Sequence, residues 1–270
     1  MAGVSTESLE KVEQTLKANA AENPEQLAKE LFAVVDVLEA NGGLRRALTD
    51  PSRSADSRTG ICRQIFNGKI SESVLHVVNE AVSARWSKER DLADALEHAG
   101  VIAAALSAQN RGGVEALEIV INELLTFINS TDGSAEAQVA LTDARASNNA
   151  KFKLALALAG NPDTVEGQLL VQRIAESSRG LTPARLAEQF VNTIVKQQNR
   201  SIARVAAAQP MSEAQIEKLR QGLSQAYGRE LKLDISVDPS LIGGLRVQVG
   251  DEIMDGSVQT RLNDLNRSFS

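Results

Sequence analysis

The side chains best suited to chemistry are few here and poorly placed for it. Two histidines, His76 and His98, and one cysteine, Cys62, are all the imidazole and thiol in 270 residues. That is too few for a histidine- or cysteine-rich metal cluster. His76 falls on a helical pattern with Val74, Val78 and Val82, and His98 lies in an acidic, alanine-rich stretch, so both read as surface or partly packed histidines. Arg63 beside Cys62 would favour a thiolate on an exposed thiol. Ile61 next to it and Phe66 one turn later place it in a core instead. Asp251-Glu252 lacks the further oxygen ligands of a cation site and reads as a solvated hairpin turn. Gly243-Gly244 matches neither the phosphate-loop nor the dinucleotide-binding glycine pattern, and Gly42-Gly43 and Gly112-Gly113 read as breaks between helices. Trp86 is expected to anchor the end of a helix, and Tyr227 to pack into a core. No catalytic residue, metal or cofactor is expected.

The wider composition narrows the classes further. Basic and acidic side chains number 29 and 35, a formal charge of −6, which argues against a general nucleic-acid surface. A 43% apolar content suits a folded protein, and aromatics at only 3% make its core aliphatic. A single cysteine excludes an intrachain disulfide and is consistent with a reducing compartment. No run of 18 apolar residues occurs, and the N-terminus lacks a basic segment followed by an apolar one. Neither a membrane-spanning helix nor a secretory signal is expected, so any membrane association would be indirect.

Most of the first 200 residues read as helices joined by short breaks. Leu27, Leu31, Val34, Val35 and Leu38 form one apolar stripe; Ile61, Cys62, Ile65 and Phe66 form another. Val74, Leu75, Val78 and Val82 follow, then Leu92, Leu96, Ala99, Ile102, Ala103 and Leu106. Ser71 and Thr182-Pro183 supply helix-start signals. A second array begins near Val114 and resembles the first. Ala47-Leu48-Thr49-Asp50 recurs 93 residues later as Ala140-Leu141-Thr142-Asp143. The same shift brings Leu31 to Leu124, Ile65 to Leu158 and Val78 to Val171. An internal duplication accounts for this register, with chance similarity of alanine- and leucine-rich helices as the alternative.

After Arg200 the period changes. Ile202, Arg204 and Ala206 begin a strand, and Met211-Ser212-Glu213-Ala214-Gln215-Ile216 opens a helix with a capping box and staple. Two alternating segments follow, Leu231 to Val237 and Leu245 to Val249, then a hairpin into Ile253-Met254 and a short helix carrying Val258, Leu262 and Leu265. The expected architecture is predominantly α: a duplicated helical bundle region followed by a small α/β domain. The expected boundaries are 1–110, 111–200 and 201–270.

The stretch Val237-Asp238-Pro239-Ser240-Leu241-Ile242-Gly243-Gly244-Leu245-Arg246-Val247-Gln248-Val249-Gly250-Asp251, with Ile253-Met254-Asp255-Gly256-Ser257-Val258 and Arg261-Leu262 after it, closely resembles the delta subunit of bacterial F-type ATP synthase. The mitochondrial equivalent is the oligomycin-sensitivity-conferring protein. Val205, Ala208, Pro210-Met211-Ser212 and Gln215 fit the same pattern. The resemblance implies a non-catalytic stator connector. It would link the F1 catalytic head to the b-type peripheral stalk and resist rotation of the head during proton-driven ATP synthesis. Implied partners are the alpha subunits of the head and either a b-type stalk subunit or a b-delta fusion chain. The implied location is peripheral, on the cytoplasmic face of the bacterial cell membrane. The alternative is a helical adaptor in another multiprotein assembly.

Typical members of that family are shorter by about the length of the suspected repeat, and the usual aromatic-alanine opening is absent from Ser5–Ala20. The chain looks like the enlarged delta portion found in actinobacterial ATP synthases. No membrane-anchored b segment precedes it here, so its stalk connection is expected to be with another chain. By resemblance, the alpha-subunit groove lies between the first and fifth helices. That implies Leu9, Val12 and Leu16 on one side and Val74, Val78 and Val82 on the other. The second array competes through Ile121, Leu125, Leu170 and Ile174. Stalk contact is expected at Val258, Arg261, Leu262 and Leu265.

Overall fold

A computed structural model describes residues 4–20, 23–132, 134–177, 180–200, 202–227, 231–238, 241, 243–249 and 252–255. The chain divides into two compact units, Met1–Ile194 and Val195–Ser270. The first is helical: α1 (Val4–Asn19), α2 (Pro24–Ala40), α3 (Gly42–Thr49), α4 (Ala55–Phe66), α5 (Glu72–Ser83), α6 (Glu89–Asp132), α7 (Ala135–Thr142), α8 (Asn148–Leu158), α9 (Val165–Glu176) and α10 (Pro183–Arg200). The division between units falls within α10.

A shift of 93 residues carries α3 onto α7 and α5 onto α9 end for end, and α4 onto α8. The local devices travel with the helices. Ser54 and Ser147 cap α4 and α8; Ser71 and Thr164 cap α5 and α9. These side-chain oxygens accept amide protons that a first helical turn leaves without an intrahelical partner. Gly68 and Asn161, at equivalent turns, both have positive φ (72° and 54°), a region that glycine and asparagine tolerate best.

The recurrent Ala-Leu-Thr-Asp has a specific physical role. Leu48 and Leu141 are buried. Thr49 and Thr142 donate back to the carbonyls of Arg45 and Gln138 at 2.8 and 2.7 Å. Asp50 and Asp143 each accept, at 2.9 Å, the amide two residues on, turning the chain toward the next helix. A carboxylate from the second helix of each array then ties down the fifth. Glu30 accepts the Ser71 amide at 2.7 Å, and Glu123 accepts the Thr164 amide at 3.1 Å as well as its hydroxyl. Burial works to raise the Glu30 pKa, but the bonds from Gln26 and Ser71 outweigh it and hold the carboxyl below its ordinary value.

The two arrays share a helix. The first half of α6 (89–111) closes the first array and opens the second, and its second half (114–132) corresponds to α2. Between the halves lies a break at Gly112-Gly113, where Gly113 has φ 65°, a conformation that costs glycine little. Leu31 and Leu124, and Val78 and Val171, are buried equivalents. Each such fully buried aliphatic contributes about 1.5–3 kcal/mol.

The second unit holds β1 (Ile202–Ala207), α11 (Glu213–Tyr227), β2 (Lys232–Val237), β3 (Leu245–Val249) and β4 (Glu252–Asp255), with sheet order β2-β1-β3-β4. β1 pairs parallel with β2 and antiparallel with β3, which pairs antiparallel with β4. α11 starts with a reciprocal capping box: the Ser212 hydroxyl accepts the Gln215 amide while Gln215 accepts the Ser212 amide. One sheet face, with Ala203, Val205, Val247 and Val249, packs with Leu223, Leu231, Leu219 and Tyr227. Arg204 and Arg246 on alternate positions are exposed, as the two-residue period of a half-buried sheet requires.

Candidate partner-binding surfaces

The chemically capable side chains act as fasteners. Cys62 is wholly buried in α4, and burial pushes its thiol up to about 11. The native protein is expected to resist thiol reagents at pH 8 and to react fully once unfolded, a difference read by absorbance labelling. His76 is exposed on α5, its Nδ1 3.3 Å from Asn19 of α1. His98 lies between Glu13 of α1, 3.0 Å from Nε2, and Thr193 of α10, 3.3 Å from Nδ1. Trp86 donates from its indole to the Ala81 carbonyl at 2.8 Å, closing over the end of α5.

The apolar stripes expected to meet the head are interior. Val12, Leu16, Val74, Val78 and Val82 are buried, and Leu9 is half-buried. α1 and α5 turn these stripes toward the core of their own array. In the second array Ile121, Leu170 and Ile174 are likewise buried, while Leu125 is 39% exposed. The outward side of α1 is carried by Val4, 52% exposed, and by exposed Glu7, Lys11 and Gln14. Val258, Arg261, Leu262 and Leu265 lie outside the described residues. Just before them, β4 exposes Ile253 and Met254. A cleft of 860 Å3 lies in the same unit between α11 and the end of β1, lined by Pro210, Met211, Lys218, Leu219, Gly243 and Gly244 among others.

A buried cluster absent from the expectations joins the two arrays. Arg173 of α9 is almost wholly buried; its Nε donates to Glu97 of α6 at 2.9 Å and its Nη1 to Asp36 of α2. Its guanidinium stacks on Phe32 of α2, 5.3 Å from the ring centroid. Phe32 in turn lies on Gly100 of α6, where an added Cβ would come within 2.5 Å of the ring. Nearby, Ser107 and Arg111 of α6 hold the buried Glu166 of α9 at 2.8 and 3.0 Å. Gly100→Ala gains helix propensity worth at most about 1 kcal/mol, yet overpacking against a buried ring costs about 1–3 kcal/mol. The variant is expected to be less stable in urea unfolding, and Phe32→Leu in the same chain to restore part of the loss.

Comparison with known proteins places these surfaces in context. A sequence model of the ATP synthase delta (OSCP) subunit family matches residues 100–269, from within the shared half of α6 through the α/β unit. The ATP synthase subunit delta of Kocuria rhizophila is 46% identical over 248 residues, 92% of this chain and 91% of that one. Those of Arthrobacter sp. strain FB24 and Pseudarthrobacter chlorophenolicus are 41% and 40% identical over 275 residues, 100% of each chain. The relatives therefore share the added first array as well as the matched portion, and the chain belongs to the ATP synthase delta (OSCP) subunit family.

Proposed function

We propose that the protein is the non-catalytic stator connector of an F-type ATP synthase, joining the F1 head to a b-type peripheral stalk or b-delta fusion chain and keeping the head from turning with the rotor. The observation that carries this reading is the family match, which spans the second helical array and the whole α/β unit. The architecture suits the task, because a connector under torque needs attachment surfaces on a stiff body. The shared α6 and the buried Arg173 cluster make two arrays into one such body. The helical unit is the surface for alpha-subunit segments, and the α/β unit, with Val258, Arg261, Leu262 and Leu265, is the surface for the stalk. Among the described residues no helix is long and apolar enough to cross a membrane. In this reading the chain is held peripherally, on the cytoplasmic face of the bacterial cell membrane, by its complex.

Gentle extraction and affinity purification of the native protein tests the reading. Alpha, beta and b-type chains of ATP synthase are expected to accompany it in constant ratio. Their consistent absence, with the protein intact, would favour a helical adaptor of some other assembly.

A further inference from the structure

The turn between the fourth and fifth helices of an array has two versions in this chain. In the first array it is Asn67-Gly68-Lys69, and the shift of 93 residues carries these onto Gly160-Asn161-Pro162 between α8 and α9. Asn67 has φ −58° and ψ 131°, and Gly68 has φ 72°. The Lys69 amide donates to the Phe66 carbonyl at 2.9 Å, which completes a type II turn. Asn67, Gly68 and Lys69 are all exposed. Among the described residues nothing holds the Asn67 side-chain amide or accepts from the Gly68 amide. One other asparagine precedes a glycine, Asn41 before Gly42. It is exposed too, but its Nδ2 donates to the Val37 carbonyl at 2.9 Å, and its own carbonyl accepts the Arg45 amide at 3.0 Å to start α3. Its ψ of 81° sets the Gly42 nitrogen almost opposite Cβ across the Cα–C bond.

We propose that Asn67 is a site of spontaneous deamidation and that the fold protects Asn41 from the same reaction. The Gly68 nitrogen gives its proton to solvent base and attacks Asn67 Cγ. The N–Cγ bond forms, the Cγ–Nδ2 bond breaks, and ammonia leaves with a proton from water. Water then opens the five-membered imide. Breaking the new N–Cγ bond leaves aspartate, whereas breaking the original peptide C–N bond leaves isoaspartate, whose backbone runs through Cβ and Cγ and is one carbon longer. Gly68 has no side chain to crowd the attacking nitrogen, and the exposed turn is free to rotate ψ until the ring closes. Asn161 has no such route, because the Pro162 nitrogen that follows it carries no proton. Either product places a carboxylate at the C-terminal end of α4, where the helix dipole disfavours it. Isoaspartate also lengthens the turn that delivers the Ser71 amide to Glu30, the 2.7 Å bond that ties α5 to α2. At this turn the first array loosens with time, and its counterpart does not. The inference rests on the fold alone and goes beyond the connector reading.

The test ages the full chain at mildly alkaline pH, folded or in concentrated urea, and then digests it. Peptide mass spectrometry reads the conversion of amide to acid, and labelling by an isoaspartate methyltransferase reads the isomer. In the folded chain the product at Asn67 is expected to form at least about tenfold faster than at Asn41, which must first give up two hydrogen bonds. In urea the two sites are expected to react at similar rates, since both are then Asn-Gly in open chain. Asn67→Gln is expected to stop labelling at the turn and leave Asn41 unchanged, and the aged native chain to unfold at a lower urea concentration than the aged variant. No product at Asn67, equal rates at the two sites in the folded chain, or a difference that persists in urea overturns the proposal. Equal unfolding midpoints of the two aged proteins would refute the loosening of the turn.

Discussion

Arg173→Ala lowers the unfolding free energy of the helical unit by about 3–5 kcal/mol, the cost typical of removing one member of a buried charge cluster. The loss is expected to come mostly from Glu97, whose carboxylate is as deeply buried as the guanidinium that faces it at 2.9 Å. Asp36 is 57% exposed, and water screens most of what its pairing contributes. Loss of the stacking on Phe32 adds to the effect. A double variant, Arg173→Met with Glu97→Gln, removes both charges and keeps the volume, so it is expected to recover much of the stability. Urea unfolding of the three proteins, with the midpoint and slope of each curve, measures the difference.

Val78→Asp and Val171→Asp are each expected to cost about 4 kcal/mol or more, or to prevent folding, because each places a carboxylate in an aliphatic core. The two positions are equivalents in the two arrays and are both buried, so they are expected to respond alike. Val4→Asp, at an exposed position on α1, is expected to change stability by no more than about 0.5 kcal/mol. Thermal unfolding followed by circular dichroism ranks the three. A head-binding defect in Val78→Asp would therefore report a broken core and say nothing about the surface.

The stripe through Leu31, Val34 and Leu38 and the start signals at Ser71, Thr182 and Ser212 were legible because burial and capping are local consequences of helix geometry. The repeated Ala-Leu-Thr-Asp was legible because one buried leucine and two backbone-bonding side chains are needed to end one helix and aim the next. A partner interface is less legible for the same reason. A stripe such as Val12 and Leu16 marks a face removed from water, whether the cover is the chain itself or a partner. The Arg173 cluster gave no signal at all, because its members lie on α2, α6 and α9, far apart in sequence, and an ion pair has no period. The sharing of α6 was hidden too, since one apolar stretch had to be counted in two arrays. In the α/β unit the strands and α11 were legible from alternation and the capping box, whereas the parallel pairing of β1 with β2 depends on a crossover that alternation does not specify.

A stator connector couples a catalytic head to its stalk. ATP-driven acidification of inverted membrane vesicles, in which ATP synthase has been stripped of this subunit and then given it back, tests that coupling. Stripping is expected to abolish acidification, the purified chain to restore it in proportion to the amount rebound, and Arg173→Ala to restore less at a temperature where it is partly unfolded. Full acidification by stripped vesicles, or rebinding of the intact chain without recovery, would contradict it.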